Sequence, residues 1–137
     1  MSSKILLTVI IPCYNEKENV KKILEKIKEN NISQQIILVD DYSSDGTREI
    51  IKDKLLAKID KVIFHEQNLG KGAAIKSAMS FITGEIVIIQ DADLEYDPRE
   101  YKILINPIIQ NQTNIVYGSR VLNKKNYSGN LTFAQQI

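Results

Sequence analysis

The stretch Glu85-Ile86-Val87-Ile88-Ile89-Gln90-Asp91-Ala92-Asp93 decides how this chain is read. Its unbroken apolar run, rich in β-branched residues, has the length and character of a strand buried on both faces. Strands of that kind belong to parallel sheets covered by helices. Directly behind the run come two carboxylates one residue apart. In extended backbone residues i and i+2 project to the same side, so Asp91 and Asp93 can face one cation, or one can bind it while the other holds a sugar hydroxyl. Hard carboxylate oxygens suit Mg2+ or Mn2+, ions that keep several waters and share their remaining positions with substrate phosphates, so two or three protein oxygens suffice. A solvated strand end carrying two acids would look the same, and the rest of the chain has to separate the two readings.

Working outward, short β-rich runs alternate with helical patterns, the mark of βαβ units in an open, mostly parallel α/β sheet with helices on both faces. Strands are expected near Leu6 to Ile11, Ile36 to Asp40, Lys61 to Phe64, Glu85 to Gln90 and Asn114 to Tyr117. The first helix is marked by Val20, Ile23, Leu24 and Ile27 at helical spacing, with Lys and Glu between them. A second is expected from Thr47 to Leu56. A third is expected from Lys71 to Ile82, with Ala74, Ile75, Ala78 and Phe81 as its narrow apolar face and Gly84 as its stop. Asp97 as N-cap, Pro98 at the first helical position and Glu100 in the first turn open a fourth, which Pro107 is expected to bend or interrupt. The segment after Arg120 is polar and without periodicity. It reads as a loop and tail over 121–137 that stops partway through an architecture, behind a nucleotide-binding part over 1–120.

Composition narrows the function classes. The chain has 137 residues, 43% of them hydrophobic and 26% charged, with a formal net charge of +1 and its basic residues interspersed with acids. That is one ordinary globular domain with no basic face for nucleic acid. No run is long enough to span a membrane. The single cysteine, Cys13, cannot form an internal disulfide and suits a reducing, cytoplasmic setting as a small buried residue. His65, the only histidine, is expected to pack or be solvated rather than to catalyse.

In open parallel sheets ligands bind beyond the carboxyl ends of the strands. There the polar residues of this chain collect: Pro12 to Glu16 after the first strand, Asp40 to Thr47 after the second, Glu66 to Gly72 after the third, and Asp91 with Asp93 after the fourth. Tyr14 can pack on a planar base or simply half-bury its ring. Asp40 and Asp41 can accept from a nucleobase or ribose, or cap the following helix. Asp45-Gly46-Thr47 reads as a structural turn, and Gly70 and Gly72 allow close backbone approach with Lys71 as a point charge.

Five ordered segments carry a resemblance: Val9-Ile10-Ile11-Pro12-Cys13-Tyr14-Asn15-Glu16, Ile37 to Thr47, Asn68-Leu69-Gly70-Lys71-Gly72-Ala73-Ala74, Asp91-Ala92-Asp93-Leu94-Glu95 and Tyr117-Gly118-Ser119-Arg120. Together they resemble the family 2 glycosyltransferases, and within them the dolichol-phosphate mannose synthase and polyprenyl-phosphate glycosyltransferase branch. The resemblance implies a GT-A (Rossmann-like) fold and an inverting, metal-dependent transfer of a hexose from a nucleotide sugar, GDP-mannose or UDP-glucose, to an acceptor such as a polyprenyl phosphate at the cytoplasmic membrane face. It places Pro12, Tyr14, Glu16, Asp40, Asp41, Lys71, Gly72, Asp91 and Ala92 around the nucleotide. Asp91 and Asp93 fall at the metal and the reacting diphosphate with Glu95 as a third metal-facing group, and Arg120 falls on phosphate. The acceptor-side residues of that family lie beyond Gly-Ser-Arg, where this chain ends, so a nucleotide-sugar-binding module without turnover is the alternative. A nucleotidyltransferase ranks below both, because Pro12 to Glu16 stand where its Gly-rich phosphate loop belongs. An unfinished sheet edge leaves room for a second copy of the chain.

Overall fold

A computed structural model of the chain describes residues 6–116. The chain divides into two compact units, Met1–Pro98 and Arg99–Ile137. The first holds a four-stranded, all-parallel sheet in the order β3-β2-β1-β4, built from β1 (Leu7–Cys13), β2 (Gln34–Asp40), β3 (Lys61–Phe64) and β4 (Ile86–Ile89). Its helices are α1 (Val20–Lys28), α2 (Thr47–Ile50) and α3 (Lys71–Met79). α2 does not run on as a regular helix to Leu56: it widens into a π turn over Ile51–Leu55 and tightens into a 3-10 turn over Leu56–Lys58.

The strand order dictates where the helices lie. β1, β2 and β3 step one way across the sheet and β4 returns to the other side of β1, so right-handed crossovers put α1 and α2 on one face and α3 on the other. α3 indeed lies on the face of Ile10, Ile37 and Val39, where Ala74 and Ala78 join them in one core cluster. Those two alanines are small enough to let the helix close on the sheet. Phe81, expected in the same apolar face, instead stands 40% exposed with the Lys61 ammonium 4.3 Å from its ring centroid. On the other face Leu7, Val9, Ile11, Ile36 and Leu38 are sealed, and α1 buries Val20, Ile23, Leu24 and Ile27 as its periodicity predicts. Each such aliphatic side chain contributes roughly 2 kcal/mol by leaving water.

Strand β1 runs two residues further than expected, through Pro12 to Cys13. The Ile10 carbonyl accepts from Gln90 while the Cys13 carbonyl accepts from Asp41, so alternate residues face β4 and β2, and Pro12 faces β4. The β1–β4 ladder has already ended at Ile10↔Ile89, and the amide that proline lacks breaks no bond.

Gly84 has a different task from the one expected. The third helix stops at Met79, five residues earlier, and Gly84 lies where a Cβ would stand 2.5 Å from Thr8 Oγ1, 2.7 Å from Thr8 N and 2.8 Å from Leu6 O. It lets the entry to β4 press against β1. Thr8 Oγ1 accepts from the Gly84 amide (2.9 Å) and donates to Gln35 Oε1 (2.7 Å), while Gln35 Nε2 donates to Phe81 O (2.8 Å), which sews the α3–β4 connection to two strands.

A 3-10 turn at Pro98–Glu100 leads into α4 (Tyr101–Ile109) of the second unit, so the α-helix starts three residues later than Pro98 suggests, with Glu100 rather than Asp97 at the cap position. The helix is not interrupted at Pro107; it continues to Ile109, and the Asn106 and Pro107 carbonyls accept from Gln110 and Gln112, each at 2.9 Å. The predicted strand Asn114 to Tyr117 does not form over its described part. Thr113 Oγ1 instead donates to Ile115 O (2.9 Å) and accepts from the Ile115 amide (3.3 Å), a local side-chain turn that competes with pairing. Tyr117, Arg120 and the 121–137 tail lie outside the described residues. Among the described residues no helix is long and apolar enough to cross a membrane.

Candidate nucleotide site at the carboxyl edge

All four strands of the sheet deliver their following loops to one edge, and the chain reverses direction across the sheet between β1 and β4. That topological switch is where parallel α/β sheets open a crevice for ligands. The Pro12–Glu16 and Asp91–Asp93 loops flank it.

The β4 loop is held by Gln90. This residue is 1% exposed, and its Nε2 donates to Asp91 O and Tyr96 O, both at 3.1 Å, so one amide ties the two ends of the carboxylate loop together. Leu94 at the tip takes a left-handed φ of 66°, and Asp93 Oδ1 accepts from the Glu95 amide at 3.1 Å. Ala92 is buried between the two carboxylates, with Asp93 exposed and Asp91 partly so. From the start of α3, Lys71 Nζ reaches Asp91 Oδ1 at 2.6 Å.

Gly70 precedes Lys71 at φ 94°, which only glycine adopts easily, whereas Gly72 is ordinary in φ and nothing outside its own helix backbone comes within 4 Å of the Cβ it lacks. Packing therefore does not demand a glycine at 72. Pro12 is partly buried and Glu16 lies at the entrance to α1, its carbonyl accepting from Asn19 and Val20 and its amide donating to Thr47 Oγ1 at 2.9 Å.

The two aspartates behind β2 face the protein. Asp41 Oδ1 accepts from His65 Nδ1 (2.8 Å) and the Leu69 amide (2.9 Å), and Oδ2 accepts from the Gly70 amide (2.8 Å), so this carboxylate fixes the glycine loop. Burial works against its charge, but the His65 hydrogen bond and then the two amides outweigh that and hold its pKa below the ordinary aspartate range. Asp40 is fully buried; its Oδ2 accepts from Arg48 Nε (2.9 Å) and the Ser43 amide (3.2 Å), and its Oδ1 has no hydrogen-bond partner.

His65 was expected to pack or be solvated, and it is 7% exposed with its second nitrogen 2.8 Å from Ser77 Oγ. Asp45 is the turn residue the sequence suggests. Desolvation raises its pKa, but bonds from the Thr47 hydroxyl, the Thr47 amide and the Lys17 amide prevail and lower it. Burial, reinforced by Asp40, Glu16 and Asp45, pushes the Cys13 thiol far above its usual range, so it stays protonated and inert.

Among the described residues no three carboxylate, imidazole or thiol groups gather into a metal cage. Two carboxylates on a fixed loop, with substrate phosphates completing the shell, still fit the way Mg2+ and Mn2+ are held beside nucleotides. Gln90, Tyr42 and Arg48 were not singled out by their sequence positions. The only signal for them was that they flank the motif residues.

Known proteins share this fold. Residues 8–131 match the family described as "Glycosyl transferase family 2". A dolichyl-phosphate beta-glucosyltransferase from Trichomonas vaginalis is 29% identical, with 98% of this chain covered and 45% of the relative. A UDP-N-acetylglucosamine–dolichyl-phosphate N-acetylglucosaminyltransferase from Methanococcus voltae is 33% identical over 89% of this chain and 55% of its own length. Among solved structures, a mannosyltransferase from Pyrobaculum calidifontis in complex with GDP-Man and Mn2+ superposes with a TM-score of 0.65 at 28% identity, covering 78% of this chain and 32% of that one. The chain spans about half the length of the curated relatives it matches.

Proposed function

The chain belongs to glycosyl transferase family 2, and from that premise we propose that it is the donor-binding part of an inverting, metal-dependent transferase that moves a hexose from a nucleoside-diphosphate sugar to a polyprenyl phosphate. The observation that carries the reading is the Asp91–Asp93 loop, pinned by Gln90 beside the switch point with Lys71 bridging to it. Asp91 and Asp93 would hold Mg2+ or Mn2+, with Glu95 next along the same loop. When bound, the ion neutralises charge growing on the departing diphosphate. Pro12, Tyr14, Glu16 and Gly72 form the nucleotide's surroundings with Ala92 in the carboxylate loop, while the buried Asp40 acts through the Arg48 it holds and Asp41 through the glycine loop it fixes. Lys71 turns from Asp91 to the phosphates, and Arg120 is assigned to phosphate.

The oxygen of a polyprenyl phosphate is already anionic near neutral pH, so no general base is required of this chain and its contribution is positioning. Attack on the anomeric carbon opposite the leaving diphosphate inverts the configuration there. The relatives' dolichyl-phosphate acceptors support the lipid phosphate, and therefore work at a membrane face. The GDP-Man and Mn2+ of the mannosyltransferase support a donor such as GDP-mannose, with UDP-glucose as the second choice.

The test is calorimetric titration with each donor, with and without Mn2+, on wild type and Asp93→Ala, followed by an assay of hexose transfer to polyprenyl phosphate. Mn2+-dependent binding of one donor, weakened at least about tenfold in the variant, is expected. Binding without transfer would reduce the assignment to a nucleotide-sugar-binding module, and no binding of either donor would overturn it.

A further inference from the structure

Tyr42 is built in a way that its neighbours on the β2 loop do not explain. It takes a left-handed φ of 67°, a conformation that is strained for a bulky side chain, yet the residue is 49% exposed rather than used as core. Strain of this kind persists where the surroundings impose it, and it clusters at binding sites.

Arg48 packs behind this ring. The guanidinium lies 5.5 Å from the Tyr42 ring centroid and 5.1 Å from that of Phe64, with its Nε on Asp40 at 2.9 Å and an Nη donating to the His65 carbonyl. A cation fixed by three other groups thus backs the Tyr42 ring, while about half of the residue's surface stays in solvent. The neighbouring β1 loop is laced to this one: the Asn15 amide donates to Ser43 Oγ (2.9 Å) and the Ser44 amide to Asn15 Oδ1 (2.8 Å). Tyr14, also 49% exposed, precedes Asn15, so each of the two tied loops carries an open tyrosine.

We propose that Tyr42 is a stacking platform for the nucleobase of the donor, and that its guanidinium backing makes it prefer a purine. The inference rests on the nucleotide-sugar reading above and deepens it by naming the class of base. A backed ring cannot turn away, so little side-chain freedom is lost on stacking. A cation on one face draws π density from the ring and favours an electron-rich partner on the other, and a purine covers more of the ring than a pyrimidine.

Tyr42→Gly separates binding from folding, since glycine accepts the left-handed backbone while removing the ring. Titrations with GDP, UDP and inorganic pyrophosphate, all with Mn2+, would be run on wild type, Tyr42→Gly and Tyr42→Phe, with thermal unfolding of each. Wild type is expected to bind GDP more tightly than UDP. Tyr42→Gly should remain folded and bind GDP roughly tenfold more weakly with pyrophosphate unchanged, and Tyr42→Phe should restore GDP binding. Equal GDP binding by Tyr42→Gly and wild type would overturn the platform and leave the nucleotide site standing, as would an equal loss for pyrophosphate. UDP bound as tightly as GDP by wild type would overturn the purine preference, and a folded wild type that binds neither nucleotide would overturn both this inference and the reading beneath it.

Discussion

A buried carboxylate that accepts three hydrogen bonds stabilises a fold only while it is ionised, and Asp41 is such a group. The sequence marks it as half of an acidic pair behind a strand; that it meets His65, Leu69 and Gly70, 24 to 29 residues further on, is tertiary information that no local spacing holds. The strand in front of Asp91 and Asp93 was legible because it is local, but it ends at Ile89, and Ala92 and Asp93 lie on a turn rather than in the extended backbone the spacing suggested. Asp41→Asn keeps the size but turns an NH2 toward donors, and should destabilise the chain at neutral pH by about 2 kcal/mol or more. The sign with pH follows from the lowered pKa. Asp41 binds its proton more weakly folded than unfolded, so its stabilisation is complete above the unfolded value of about 4 and is lost as pH falls through the lower folded value. Urea unfolding of both proteins should show a gap that is constant from about pH 5 upward and narrows below about pH 4; a gap that persists unchanged into acid would show that packing, not charge, is what the substitution removed.

Elements were legible where period and burial agree. β3 falls where the sequence puts it, at Lys61–Phe64, and the buried positions of α1 are the four that recur at helical spacing. β4, read from its apolar run as buried on both faces, is instead an edge strand that leaves Val87 and Ile89 41% and 40% exposed. Other failures came where one residue has two physical uses. Gly84 looks like a helix stop, because glycine favours the left-handed backbone that ends helices, but its φ is not positive and the missing Cβ is needed for contact with β1. Pro107 looks like a helix breaker, yet only two helical residues follow it, so little of the hydrogen-bond ladder is at stake. The contact argument makes Gly84→Ala costly. A methyl group 2.5 to 2.8 Å from Thr8 and Leu6 atoms, two of them backbone, cannot be accommodated by a rotamer change, so strand β4 has to shift. A loss of about 1–3 kcal/mol is expected in denaturant unfolding. Gly72→Ala, with open space around it and no positive φ to satisfy, should instead stabilise the protein by up to about 1 kcal/mol at that helical position.

At the scale of the whole molecule, the order β3-β2-β1-β4 matters more than any one strand, because it brings the two edge strands' following segments to a common place. α3 starts beyond β3 at one edge and crosses the sheet to feed β4 at the other, yet its first residue, Lys71, ends up 2.6 Å from Asp91, twenty positions later. The sequence shows a G-K-G and a D-x-D, and only the crossover pairs them. In that pairing the ammonium takes up one of the two carboxylates offered to a cation, so a free metal ion has to displace it, whereas a metal ion arriving with a nucleotide brings phosphates for the lysine to turn to. Opposite outcomes for one substitution follow. Lys71→Met should bind free Mn2+ more tightly, by about twofold to fivefold, the worth of the largely exposed Lys71–Asp91 pair that the ion no longer has to break. It should bind the Mn2+–nucleoside diphosphate complex more weakly than wild type does. Electron paramagnetic resonance titration of free Mn2+ reads the first effect and calorimetry with the nucleotide the second. If both affinities fell together, Lys71 would be shaping the loop rather than competing for Asp91; if neither moved, the bridge would carry no weight in the site and the metal would have to be sought away from Asp91.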